Sequence, residues 1–222
     1  MHKRMTREDN FVYLTFALIL LGLAMALAQQ FFDDSVQRLV QSATVITLIV
    51  AVWDGKDEKF IFRSSIVFPL AIFLTAMVGY WLDTLHFQYV HLLIMLAFFI
   101  STANRTAKQV LFTGEIDGNK ILGAICLYML IGLIWALLFT LLQLWFPLAF
   151  QGVSVNNEWF ELLPDFVYFS FVSLTTLGYG DISPTLPLSK FLVYTEAIVG
   201  QFYIAILVAS LVGSRMSSLS NK

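Results

Sequence analysis

The sequence predicts an all-α membrane protein with six transmembrane helices and one shorter, re-entrant helix that ends in an irregular loop. Three observations predict it. Of the 222 residues, 59% are hydrophobic and only 13% charged, whereas about a quarter of an ordinary soluble domain is charged; the mean hydropathy is +0.79. Apolar segments recur near 11–28, 36–53, 65–82, 88–103, 119–146 and 190–213, and about 20 helical residues cross a hydrocarbon core of ~30 Å. Between the last two segments, residues 147–189 carry Pro147, Pro164, Pro184, Pro187 and Asn156-Asn157, too many interruptions for a spanning helix.

The first segment follows "HKRMTR" and runs into "AMALAQQ", an outline shared with a secretory signal cleaved near Ala26 and Ala28. The length of the run and the acidic Glu8 and Asp9 favour a first span. With the N-terminus inside, all of the 13 Lys and Arg except Arg38 and Lys190 fall in cytoplasmic positions, from Lys3, Arg4 and Arg7 to Arg215 and Lys222, which fixes both termini as cytoplasmic. An inner or plasma membrane location follows. Trp53, Trp81, Trp145 and Trp159 stand at or just beyond span ends, as in an aromatic belt.

In segment two, Gln37, Gln41 and Thr44 follow helical spacing and are expected to face a bundle interior. Arg38 lies near its outer end, where it snorkels beside Asp33, Asp34 or Asp83 or, alternatively, feels the membrane field. Segment four, "QYVHLLIMLAFFISTA", contains no arginine, and His86 and His91 flank its start as interfacial histidines that could titrate near neutral pH. Residues 104–118, "NRTAKQVLFTGEIDG", read as a linker with a short interfacial helix around Val110, Leu111 and Phe112; the sequon at Asn104 lies on the inner side and carries no glycan. The single cysteine, Cys126, sits in segment five and excludes an internal disulfide or a cysteine-based metal centre.

Pro164 and Asp165 read as the first turn of a short helix over 165–175, "DFVYFSFVSLT", with proline early and a carboxylate near the positive end of the dipole. It stops half-way through the bilayer. "TTLGYGD" at 175–181 follows, and irregular backbone at that depth must be buried in protein or line a water-filled path. Gly178 and Gly180 can take positive φ without a Cβ penalty, so successive carbonyls can turn to one side as a row of oxygens.

With a half-helix before it and an apolar span after it, this heptapeptide resembles the signature of potassium channels, whose filter loops read T-V-G-Y-G. The resemblance is specific over roughly 119–213 and only topological over 11–103. It implies a pore domain at 119–214, made of an outer helix (119–146), a pore helix (165–175), a filter (176–181) and an inner helix (190–213), ahead of a short cytoplasmic tail at 215–222. By resemblance Thr176, Leu177, Gly178 and Tyr179 offer carbonyl oxygens to K+, the Thr176 hydroxyl forms the innermost ring, and Gly180 turns the strand outward. Asp181 supports the filter from behind. Leu177 stands where valine is usual, and Tyr168-Phe169 where many channels have Trp-Trp, so Tyr168 is expected to hydrogen-bond Asp181.

One loop supplies one oxygen per layer, whereas a dehydrated potassium ion needs about eight neighbours, which implies a homotetramer around a common axis. In the inner helix, Gly200 lies where such channels have a gating hinge, or else it permits close helix packing. Glu196, one turn earlier, is an ionisable group within a span; it is expected to bond behind the filter, to the Ser173 or Thr175 hydroxyl, to bias cations in the vestibule, or to snorkel outward.

Residues 1–103 hold the place of a voltage sensor without its charges: a sensor's fourth helix carries arginine at every third position. The implied function is passive potassium permeation with weak or no voltage dependence. An accessory, non-conducting channel-like subunit is the alternative, and a cation transporter would need several such loops in one chain. No carboxylate pair, Ser/His set or metal cluster points to an enzyme. No cofactor is implied beyond K+ as the permeant ion; the expected partners are three further copies and membrane lipids, not nucleic acid. After Gly213 only "SRMSSLSNK" follows, so no cytoplasmic ligand-binding domain is expected.

Overall fold

A computed structural model describes residues 10–32, 85–111, 118–154 and 158–220. The predicted segments at 36–53 and 65–82, with Gln37, Arg38, Gln41 and Thr44, lie outside the described residues, as do the basic N-terminus and most of the linker's C-terminal half. Among the described residues there are five helices and a single pair of two-residue strands: α1 (Asn10–Phe31), α2 (Leu85–Leu111), α3 (Gly118–Trp145), β1 (Phe150–Gln151), α4 (Trp159–Leu174), β2 (Ser183–Pro184) and α5 (Pro187–Ser220). Four of them are long and apolar enough to cross a membrane, over Phe11–Phe31, Gln88–Val110, Lys120–Trp145 and Pro187–Ser210. The fifth, α4, has 16 residues and is about 24 Å long at 1.5 Å per residue, too short to cross.

α3 is the central element and packs against α1, α2, α4 and α5. Its run "ILGAICLYMLIGLIWALLFTLLQLW" is apolar on all sides because nearly every side meets another helix. The neighbours carry one buried stripe each. On α1 it is Phe11, Leu14, Leu18, Leu21, Met25 and Ala28, at alternating three- and four-residue steps, and on α2 it is the broader stripe of Leu92, Met95, Phe98, Phe99, Thr102, Ala103 and Thr106, whose members recur three and four residues apart. The opposite face of α1, with Phe16, Ile19 and Leu23, is exposed and apolar, as a lipid-facing surface requires.

Two expectations change here. Residues 104–111 do not leave the membrane helix as a separate linker; α2 runs through them to Leu111, with Thr106 buried. Helical continuation satisfies the backbone at no cost in conformational strain, and it places Arg105 and Lys108 on the same helix as segment four. The half-helix starts at Trp159, six residues before the predicted start, with Pro164 inside it. Burial of Trp159, Phe160, Leu162 and Leu163 holds this first stretch helical although proline supplies no N–H to the second turn. Trp145 is exposed at the end of α3, whereas Trp159 is buried against His91, ring centroids 4.7 Å apart, so Trp159 and His91 face protein rather than the membrane–water boundary.

Behind α4 lies a phenylalanine nest. Phe139 of α3, Phe150 of β1, and Phe166 and Phe169 of α4 meet in tilted and edge-to-face pairs at 4.9–6.1 Å, geometries that each add about 0.5–1.5 kcal/mol beyond burial.

Candidate functional site

The site is built where α4 ends. Three chain segments fix the start of this half-helix: Asp165 Oδ2 accepts from Ser154 N (2.9 Å) and Oγ (3.0 Å), Asp165 Oδ1 accepts from Gln29 Nε2 of α1 (3.2 Å), and Glu158 Oε2 accepts from Gln88 Nε2 of α2 (2.7 Å). Its far end is held as firmly. Tyr128 of α3 donates its hydroxyl to Leu174 O at 3.0 Å, which occupies one of the carbonyls that a helix C-terminus leaves without a partner.

Beyond Thr175 the chain folds back on the helix. Thr176 N donates to Ser173 O (3.0 Å), and Leu177 N and Gly178 N both donate to Val172 O (2.9 and 3.2 Å). In a trans peptide the C=O points opposite to the N–H, so the carbonyls of Thr175, Thr176 and Leu177 point away from the helix. Positive φ then alternates along the loop, at Thr176 (59°), Gly178 (59°) and Gly180 (81°), with Leu177 and Tyr179 between them. This alternation keeps successive carbonyls on one side. Thr176 is the only non-glycine residue of positive φ among the described residues; for a β-branched side chain that conformation costs about 1–3 kcal/mol, and no local residue preference announces it.

Leu177 and Tyr179 are 56% and 68% exposed on the single chain, and a Cβ at Gly178 or Gly180 would meet nothing within 4 Å. The loop thus stands open on its outer side. Its return is anchored by Tyr168, whose hydroxyl donates to Asp181 Oδ2 at 2.6 Å, the pair anticipated from the sequence. This hydrogen bond is the main cause that holds the Asp181 carboxyl below its ordinary 3.8. After Asp181, β2 pairs antiparallel with β1, Phe150 opposite Pro184 and Gln151 opposite Ser183, and Ser189 Oγ lies 2.7 Å from Ala149 O and 2.9 Å from Leu186 O, which ties the first turn of α5 to the same loop.

Glu196 is fully buried and lies behind the loop, but its partner is Ser170 rather than Ser173 or Thr175: the Ser170 hydroxyl stands 2.5 Å from Glu196 Oε1 and 2.7 Å from Gly132 O. It neither snorkels nor faces the loop's open side. Gly200 sits in an uninterrupted α5, and a Cβ there would collide with the Leu174 carbonyl oxygen, so close approach of α5 to α4 requires glycine at this position. Tyr203 donates to Ala124 O at 2.6 Å and fixes α5 to α3.

Three contributors escaped the sequence reading: Ser170, Tyr128 and Gln201, whose Nε2 donates to Thr176 Oγ1 at 3.3 Å. The signal for the first and third was present, since a hydroxyl set among the aromatic side chains of a half-helix and an amide in an apolar span each need a partner. Among the described residues no group of three or more His, Cys, Asp or Glu could hold a metal; the loop's potential ligands are backbone oxygens.

Comparison of the chain with curated proteins and with solved structures returned no match. Residues 124–214 match the family model described as "Ion channel", a stretch that begins in α3, includes α4, the glycine loop and most of α5. An ion-channel domain, not an enzyme, therefore occupies residues 124–214 of this multi-pass membrane protein.

Proposed function

We propose that the protein is a potassium-selective channel in which four copies surround one ion path. The observation that carries this reading is the alternation of positive φ at Thr176, Gly178 and Gly180 together with the amides of 176–178 anchored on α4. It leaves Thr176, Leu177, Gly178 and Tyr179 to offer carbonyl oxygens to K+, with Gly180 turning the strand outward and Asp181 and Tyr168 supporting it. Oxygens fixed beforehand replace a hydration shell with little reorganisation, and layers of four such oxygens per ring suit an ion of potassium's size.

The tetramer is supported by what the single chain leaves uncovered. A loop with free carbonyls cannot face lipid, and one chain supplies only one oxygen per layer. On α5 the stripe Tyr194, Ile198, Phe202 and Ile206 is exposed beside it, available to neighbouring copies. Passive permeation follows, in an inner or plasma membrane with both termini cytoplasmic.

Potassium against sodium flux from liposomes holding the purified chain, with barium as blocker and Gly178→Ala as control, tests the reading. Potassium-selective, barium-sensitive flux that Gly178→Ala abolishes supports it. Intact tetramers that pass no potassium across a range of pH and lipid composition would instead favour an accessory subunit that does not conduct.

A further inference from the structure

We propose that Gln201 is a specificity-determining residue of the ion path, acting through the Thr176 hydroxyl; the inference rests on the potassium-channel reading above. Thr176 Oγ1 donates its only proton to Thr175 O at 2.6 Å and accepts from Gln201 Nε2 at 3.3 Å. A hydroxyl has one proton and two lone pairs. With the proton held on a carbonyl and one lone pair held by the amide, one lone pair remains for a cation and no proton faces it. The amide therefore holds the innermost oxygen in the orientation that a dehydrated cation requires.

The register that brings Gln201 to this point is not accidental to the packing. Gly200 immediately before it is the residue at which α5 touches the Leu174 carbonyl, at the end of α4, two residues before Thr176. The helix is thus fixed against α4 where the amide reaches the loop. Gln201 is exposed on the single chain, and in a tetramer four such amides lie beneath the innermost ring of hydroxyls. The ligands concerned are dehydrated cations of potassium's size, with barium as the divalent probe.

The test uses the full chain in liposomes and planar bilayers, with barium applied from the side of the C-terminal half of α5. Gln201→Met keeps length and removes the donor. It is expected to weaken barium block by about five- to tenfold, the effect of one lost hydrogen bond, and to lower the potassium-to-sodium flux ratio. In a Thr176→Val background, where the hydroxyl is gone, the same substitution is expected to change block by under about twofold, because the two residues act as one unit. Should Gln201→Met fail to assemble, Gln201→Asn, which keeps the amide but falls one methylene short, carries the same comparison. Equal effects in both backgrounds, or none in either, would overturn the role of Gln201 while wild-type potassium flux stands. A wild-type tetramer without potassium-selective flux would overturn this inference together with the reading beneath it.

Discussion

The Ser170 hydroxyl lies 2.5 Å from the Glu196 carboxyl, joining the middle of the half-helix to the inner helix at a point where both side chains are fully buried. The same hydroxyl is 2.7 Å from Gly132 O, so three helices meet through one oxygen. Glu196 Oε2 has no hydrogen-bond partner among the described residues. A buried carboxyl so placed fixes the distance between α4 and α5, and hence the backing of the loop.

Glu196→Gln preserves this junction, since an amide of the same shape can donate to Ser170 while Ser170 donates to Gly132. It is expected to leave assembly and flux near wild type. Glu196→Ala removes the partner and leaves a cavity, at a cost of roughly 1–3 kcal/mol. A lower thermal midpoint for the alanine variant, and not for the glutamine one, is the expected calorimetric result in detergent; equal midpoints would remove the junction from the argument.

Tyr168→Phe deletes the donor to Asp181. Potassium currents in bilayers are expected to decay faster and to lose part of their selectivity. Acid should mimic the substitution, with a definite sign: the Tyr168 bond holds the Asp181 carboxyl below its usual value, so the contact is fully present above about pH 4, the ordinary aspartate range, and fades as the outer pH falls through the lowered value. Wild-type currents that stay unaffected as the pH is taken well below the ordinary aspartate value of about 3.9, while Tyr168→Phe decays rapidly, would contradict the linkage.

At Gly200 the two roles separate. Alanine favours a helix over glycine by about 1 kcal/mol, so a pure hinge would become stiffer yet more stable on Gly200→Ala. Because a Cβ there meets the Leu174 carbonyl, the variant is instead expected to lose thermal stability together with flux. A stabilised tetramer with altered opening would restore the hinge.

Voltage dependence is expected to be weak between about −100 and +100 mV, since a charge must cross the whole field to contribute ~2.3 kcal/mol per 100 mV. The long α2 carries Arg105 and Lys108 only near its C-terminal end, and no Lys or Arg in its first 20 positions. Open probability in planar bilayers should therefore be unchanged when both are replaced by glutamine. A steep sigmoid that this double variant flattens would make α2 a sensor.

How much was legible follows from the range of each interaction. The glycine loop was legible because it rests on local backbone preference: Gly178 and Gly180 declare positive φ by their lack of Cβ. The Tyr168–Asp181 pair was legible through resemblance to a known arrangement. The partner of Glu196 was not. Ser170 and Ser173 differ by three residues, about 60° around the helix and 4.5 Å along it, and only the azimuth at which α4 packs on α3 and α5 chooses between them. The start of α4 was misplaced for a related reason: Pro164 is a local stop signal, whereas Trp159 and Phe160 gain their helical state from burial.

By itself the sequence determined the membrane solvent, since apolar runs of about 20 residues suit a hydrocarbon core, and two of the three positive-φ positions of the loop, Gly178 and Gly180, since a missing Cβ acts on the residue's own backbone. Tertiary structure decided which oxygens and amides lock that loop in place. Ser170 behind it, Tyr128 at the helix end and Gln201 beneath Thr176 are 26, 46 and 25 residues from their partners in the chain, and contacts of that separation are set by how helices rotate and slide against one another, a quantity that no local pattern of residues records.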